Sequence, residues 1–111
     1  MEAIDFETFL KVDIRVGKIQ RAETFDEART PAIKLWIDFG PELGVKQSSA
    51  QITENYSIES LKDKQIVAIV NFPPKRIASF KSEVLVLGAL GLNGIVLITP
   101  DKDATVGARI Y

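Results

Sequence analysis

The sequence has no cysteine and no histidine, and it holds a single tryptophan and a single methionine. Without cysteine there is no disulfide, no thiolate zinc site and no thiol nucleophile. Without histidine the usual general base near neutral pH is missing, as is the commonest metal ligand. Most hydrolase and metalloenzyme mechanisms thereby lose their central group, so a non-enzyme without metal or cofactor is expected. An excess of one charge is also lacking: 14 Lys and Arg stand against 15 Asp and Glu, a formal net charge of −1. Phosphate contacts need cations, so this balance weighs against a broadly nucleic-acid-binding surface while leaving room for a local basic patch. No apolar run is long enough to span a bilayer. The acidic opening Met1-Glu2-Ala3-Ile4-Asp5 does not resemble a signal peptide. A cytoplasmic protein with no membrane insertion is expected, and the sequon Asn55-Tyr56-Ser57 is then a chance match.

What is present suits one compact domain over residues 1–111, with 46% hydrophobic residues to build a core. A domain this small is only modestly stable alone, and pairing with a second copy would bury more apolar surface. Asp5 is placed to cap a short helix over residues 6–11, with Phe6, Phe9 and Leu10 on one face. Residues 13–22 read as a strand whose alternation slips at Gly17, which suggests a bulge or bend there. Ile33, Leu35, Ile37 and Phe39 alternate with Lys34, Trp36 and Asp38 in the cleanest half-buried strand.

A turn at 40–44 leads to a third strand at 45–50. Ser57 is placed to cap one helical turn, with Ser60 in the usual glutamate position. Residues 65–70 form a β-branched strand that Phe72-Pro73-Pro74 stops. Residues 84–89 and 95–99 read as strands joined through Leu92-Asn93-Gly94, and 106–110 as a short final strand. The class is all-β with small α content, and the evenly spaced short strands favour a small barrel. The runs at 65–70, 84–89 and 95–98 are apolar on both parities. Either both faces are covered within the domain, or one face is a dimer interface.

Several motifs lead nowhere. Gly88, Gly91 and Gly94 lack the Gly-Lys-Ser/Thr of a phosphate loop. The segment 101–107 begins like a calcium loop, but its glycine is misplaced. Ser48, Ser49 and Ser82 sit near Lys46 and Lys81, where a Ser–Lys dyad is conceivable, but no group is at hand to orient a base. The segment 71–83 carries more. Lys75, Arg76 and Lys81 stand among Phe72 and Phe80, combining cations for phosphates with rings for stacking. Equally, it is a structured loop with core rings and solvated cations. Glu83 enters an apolar strand and needs a partner, from Ser82, backbone N–H groups or Arg76. Trp36 faces away from the Ile33/Leu35/Ile37 side, either as part of a partner surface or packed beneath the 23–31 loop or the N-terminal helix.

Three stretches resemble one family. They are Asp13-Ile14-Arg15-Val16-Gly17-Lys18-Ile19, Lys46-Gln47-Ser48-Ser49-Ala50-Gln51-Ile52, and Val70 through Ile77 running on to Ser82-Glu83-Val84-Leu85-Val86-Leu87-Gly88. In order and spacing they are similar to the tRNA-binding OB-fold domain. Ser48-Ser49-Ala50-Gln51-Ile52 and Asn71-Phe72-Pro73-Pro74 look like its free-standing secretion-chaperone branch. The resemblance implies a five-stranded OB-fold Greek-key barrel with a short N-terminal helix. It also implies a homodimer built from that helix and the C-terminal strands. It places Asn71, Lys75, Arg76, Ser82, Glu83 and Ser48 at ligand-binding positions, and Phe72, Phe80 and Trp36 are added from their chemistry.

Two functions then compete. One is a non-enzymatic, chaperone-like homodimer that holds unfolded polypeptides or preproteins, with a secretion translocase component as a further partner. The other is structure-specific tRNA binding.

Overall fold

The computed structural model describes all residues, Met1–Tyr111. Asp5 caps α1 (Phe6–Leu10), its carboxylate accepting the Thr8 N–H at 2.8 Å. β1 (Ile14–Thr24) is long enough to serve two neighbours. Its first half pairs antiparallel with β4 (Gln65–Ile69), and its second half with β2 (Ile33–Asp38). β2 buries Ile33, Leu35 and Ile37 and leaves Lys34, Trp36 and Asp38 on the outer side, as its alternation requires.

The register shift in β1 lies between Ile19 and Arg21, not at Gly17. Gly17 serves packing instead. A Cβ there would come within 2.5 Å of Ile37 Cγ2 and 2.6 Å of the Phe39 ring. The glycine lets β1 bend closely over the core.

A helical turn, α2 (Gly40–Leu43), stands where only a turn was expected, and β3 (Val45–Ala50) pairs with β2. In α3 (Ile58–Leu61), Ser57 and Ser60 form a reciprocal capping box. β5 (Lys75–Ile77) and β6 (Phe80–Ser82) make a hairpin of their own. β7 (Leu85–Val86) pairs with β4. β8 (Gly88–Gly91) and β9 (Gly94–Leu97) form a second hairpin around Leu92 and Asn93.

The expected strand at 84–89 is thus divided at Leu87, because the residues before it pair with β4 and those after it pair with β9. Residues 106–110 form no full strand. They follow β1 through one bridge, Arg15 to Arg109, with Ile110 N–H donating to the Ile14 carbonyl at 2.8 Å.

The main sheet runs β3-β2-β1-β4-β7 and curls so that its two edges approach, giving a nearly closed, five-stranded OB-like barrel. Its interior is filled by Ile19, Leu35, Ile37, Phe39, Leu61 and Ile66, all fully buried. Each such side chain contributes about 1.5–3 kcal/mol from burial. No helix is long and apolar enough to cross a membrane.

Candidate binding cleft at the barrel seam

β3 and β7 are the edges that a closed barrel would join by a backbone ladder. Here side chains do most of the joining. Glu83 N–H donates to the Gln47 carbonyl at 2.8 Å, and the Glu83 carboxylate accepts the Gln47 N–H at 3.0 Å. Ser82 Oγ accepts the Ser49 N–H at 3.3 Å. The Ser48 hydroxyl, 1% exposed, donates to the Val84 carbonyl at 2.9 Å. A buried hydroxyl must find a partner, and this one holds the seam together. Glu83 is therefore satisfied by backbone N–H, one of the partners considered from sequence. Neither Ser48 nor Ser82 is hydrogen-bonded to a lysine; their Oγ atoms lie 3.4 Å from each other.

Beside this seam opens a cleft of about 520 Å³. Ile52, Val84 and Leu97 reach it from the core, and Phe72, Ile77 and Leu85 line it nearer to solvent. Its polar lining includes Gln51, Ser82, Glu83 and Lys75. Lys75 is exposed and pairs with no carboxylate, so its charge is free for a ligand. The arrangement is an apolar trough with one cation, Lys75, and one carboxylate, Glu83, whose Oε1 is taken up by the Gln47 N–H. It can bind an apolar group next to an anionic one.

Of the residues singled out from sequence, Phe72, Lys75, Ser82 and Glu83 line the cleft, with Phe72 48% exposed. Ser48 lies buried behind it. Arg76 is exposed on the hairpin outside the lining. Asn71 has both ends of its amide occupied. Its Oδ1 accepts the Asp13 N–H at 2.9 Å, and its Nδ2 donates to the Lys11 carbonyl at 2.7 Å, tying the loop to the end of α1.

Phe80 and Trp36 are not in the cleft. Phe80 is 7% exposed and packs with Phe25 and Trp36, at ring-centroid distances of 5.4 and 5.9 Å. It is a core ring, because the hairpin folds it onto the outer side of β2. Trp36 is half-buried there, with the Arg21 guanidinium 4.6 Å from its ring centroid. The sequence reading missed Ile52, Leu85, Ile95 and Leu97 as lining residues. They come from separate segments, and their only signal was apolarity.

Residues 14–109 match the family described as "Putative tRNA binding domain". The chain belongs to this tRNA-binding domain family. Within the family, two solved structures are similar over almost the whole chain. The chaperone CsaA from Bacillus anthracis str. Ames is 55% identical, with a TM-score of 0.92 over 99% of this chain and 100% of that one. The CsaA chaperone protein from Picrophilus torridus is 52% identical, with a TM-score of 0.92 over 98% of this chain and 100% of that one. A methionine–tRNA ligase from Archaeoglobus fulgidus is 35% identical over 109 residues, which is 98% of this chain. The chain spans only 16% of that ligase. This tRNA-binding domain thus resembles both CsaA-type chaperones and a module within a larger enzyme.

Proposed function

We propose that this protein is a non-enzymatic, homodimeric chaperone-like binder of unfolded or export-bound polypeptides, working in the cytoplasm. The observation that carries the proposal is the cleft. Its apolar trough suits a hydrophobic side chain, and free Lys75 suits a neighbouring acidic group. Holding a chain needs no catalytic base, and the sequence supplies no histidine. Full-length likeness to two CsaA chaperones supports the same reading. A homodimer would cover Leu90 and Leu92, 84% and 103% exposed, together with Phe6 of α1. Preproteins and a secretion translocase component are the partners this role implies.

tRNA binding is the second reading, supported by the family and by exposed Lys75, Arg76 and Lys81 on one hairpin. The two ligands separate by their response to salt. The test titrates salt against binding of a folded tRNA and of a labelled unfolded polypeptide. Polypeptide binding is expected to survive salt and to weaken several-fold in Phe72→Ala. tRNA binding is expected to fall steeply with salt, with a shallower slope in Lys75→Ala. Tight, salt-steep tRNA binding with weak polypeptide binding would overturn the chaperone reading.

A further inference from the structure

The β5–β6 hairpin forms a backbone ladder only with itself, yet its Lys75, Ile77 and Ser82 make one wall of the cleft. Its base is fixed to β3, where Gln47 Nε2 donates to the Lys81 carbonyl at 2.8 Å. Its tip is held just outside the cleft, where Phe80 lies on the same hairpin face as its partner Ile77. There Phe80 joins buried Phe25 and Ala32.

Lys34, on the outer side of β2, reaches into this cluster. Its Nζ lies 4.9 Å from the Phe25 ring centroid and 5.2 Å from that of Phe80. The same amine is 3.8 Å from Glu27 Oε1. The other Glu27 oxygen accepts the Ser79 hydroxyl at 3.1 Å. One ammonium therefore meets three parts of the chain: β2 that carries it, the loop with Phe25 and Glu27, and the hairpin tip. Both rings attract it through their faces, more strongly where water is excluded. Its side chain is only 20% exposed. The tip also holds Ala78 at φ 53°, a left-handed conformation unusual for a residue with a Cβ. Such a turn persists only where its surroundings hold it.

We propose that Lys34 is a positioning residue: together with Glu27 it latches the hairpin tip to the barrel and so sets the cleft wall that grips a polypeptide. None of Lys34, Glu27, Phe25 or Phe80 lines the cleft, so the latch acts only through the hairpin. The inference rests on the cleft being the polypeptide site.

The experiment compares Lys34→Met, Lys34→Arg, Glu27→Gln and Phe72→Ala in the full chain. The probe is a dye-labelled, reduced and alkylated polypeptide. Trp36, the single tryptophan, sits 5.9 Å from Phe80 and reports hairpin docking by its fluorescence. Lys34→Met keeps the apolar stem and removes the charge. It is expected to weaken probe binding by about five- to tenfold, the scale of losing a partly desolvated cation–π contact, and to change Trp36 emission. Lys34→Arg is expected to restore both signals. Glu27→Gln, at a side chain 58% exposed and so safe for folding, is expected to act in the same direction more weakly. If Lys34→Met and Glu27→Gln bind as wild type while Phe72→Ala weakens binding, the latch is wrong and the cleft reading survives. If Phe72→Ala also binds as wild type, the cleft reading fails and the latch falls with it.

Discussion

β4 and the β8–β9 hairpin are both apolar, but they are covered differently. β4 lies between β1 and β7 in the main sheet, and Ile66, Val67 and Ala68 are all buried. The hairpin pairs only with itself. It hangs from the barrel by a few bonds, among them Leu97 N–H to the Tyr56 hydroxyl at 2.9 Å and Asn55 Nδ2 to the Ile95 carbonyl at 3.1 Å. Leu97 is buried, whereas Leu90, Leu92 and Val96 are exposed. An apolar strand must be covered, but its composition does not say whether the cover comes from the same chain.

The largest expected effect tests the covered member. Ile66→Ala removes a fully buried side chain from the barrel core and is expected to cost about 2–5 kcal/mol, measured by denaturant unfolding. A cost near zero would mean that β4 is not held as described. Leu90→Asp tests the uncovered member and should leave the barrel folded. Wild-type stability is expected to rise with protein concentration, and Leu90→Asp to lose that dependence and sediment as a monomer. If both proteins sediment alike as monomers, no second copy covers the hairpin.

The smallest effect concerns the junction that ties the chain beyond the hairpin back to β1. Arg15 Nε donates to Asp13 at 2.6 Å, with Arg109 Nε 3.9 Å from the same carboxylate. The hydrogen bond from Arg15 holds the Asp13 carboxyl below its ordinary value, against a smaller opposing effect of burial. A depressed carboxyl contributes stability above its unfolded pKa, about 3.9, and loses it as pH falls through the folded value. Asp13→Asn is therefore expected to flatten the acid side of the stability profile below about pH 4, followed by circular dichroism. An unchanged slope would remove Asp13 from the acid response.

Local physics was legible in the sequence. Asp5 and the Ser57/Ser60 pair show as caps because a cap needs only neighbours three residues apart. β2 shows because alternation is written into six consecutive residues. Phe72, Lys75, Ser82 and Glu83 could be picked out as site candidates because they cluster in one segment. Gln20 gave no sign that the register of β1 shifts there, since a bulge depends on the partner strand. Gly17 marked the right strand for a different reason, the closeness of Ile37 and Phe39.

By itself, then, the sequence determined a small all-β domain with its caps, its alternating strand and a polar, aromatic segment fit for binding. It also removed thiol and imidazole chemistry. Only the folded barrel settles which rings face the cleft. Phe72 lines the cleft while Phe80, eight residues on, packs outside it, where Phe25, Lys34 and Trp36 arrive from distant parts of the chain. Phe72 precedes the hairpin, and Phe80 shares a hairpin face with Ile77, which touches both the cleft and the Phe80 cluster. What each face meets depends on how the sheet curls, and no local pattern encodes that.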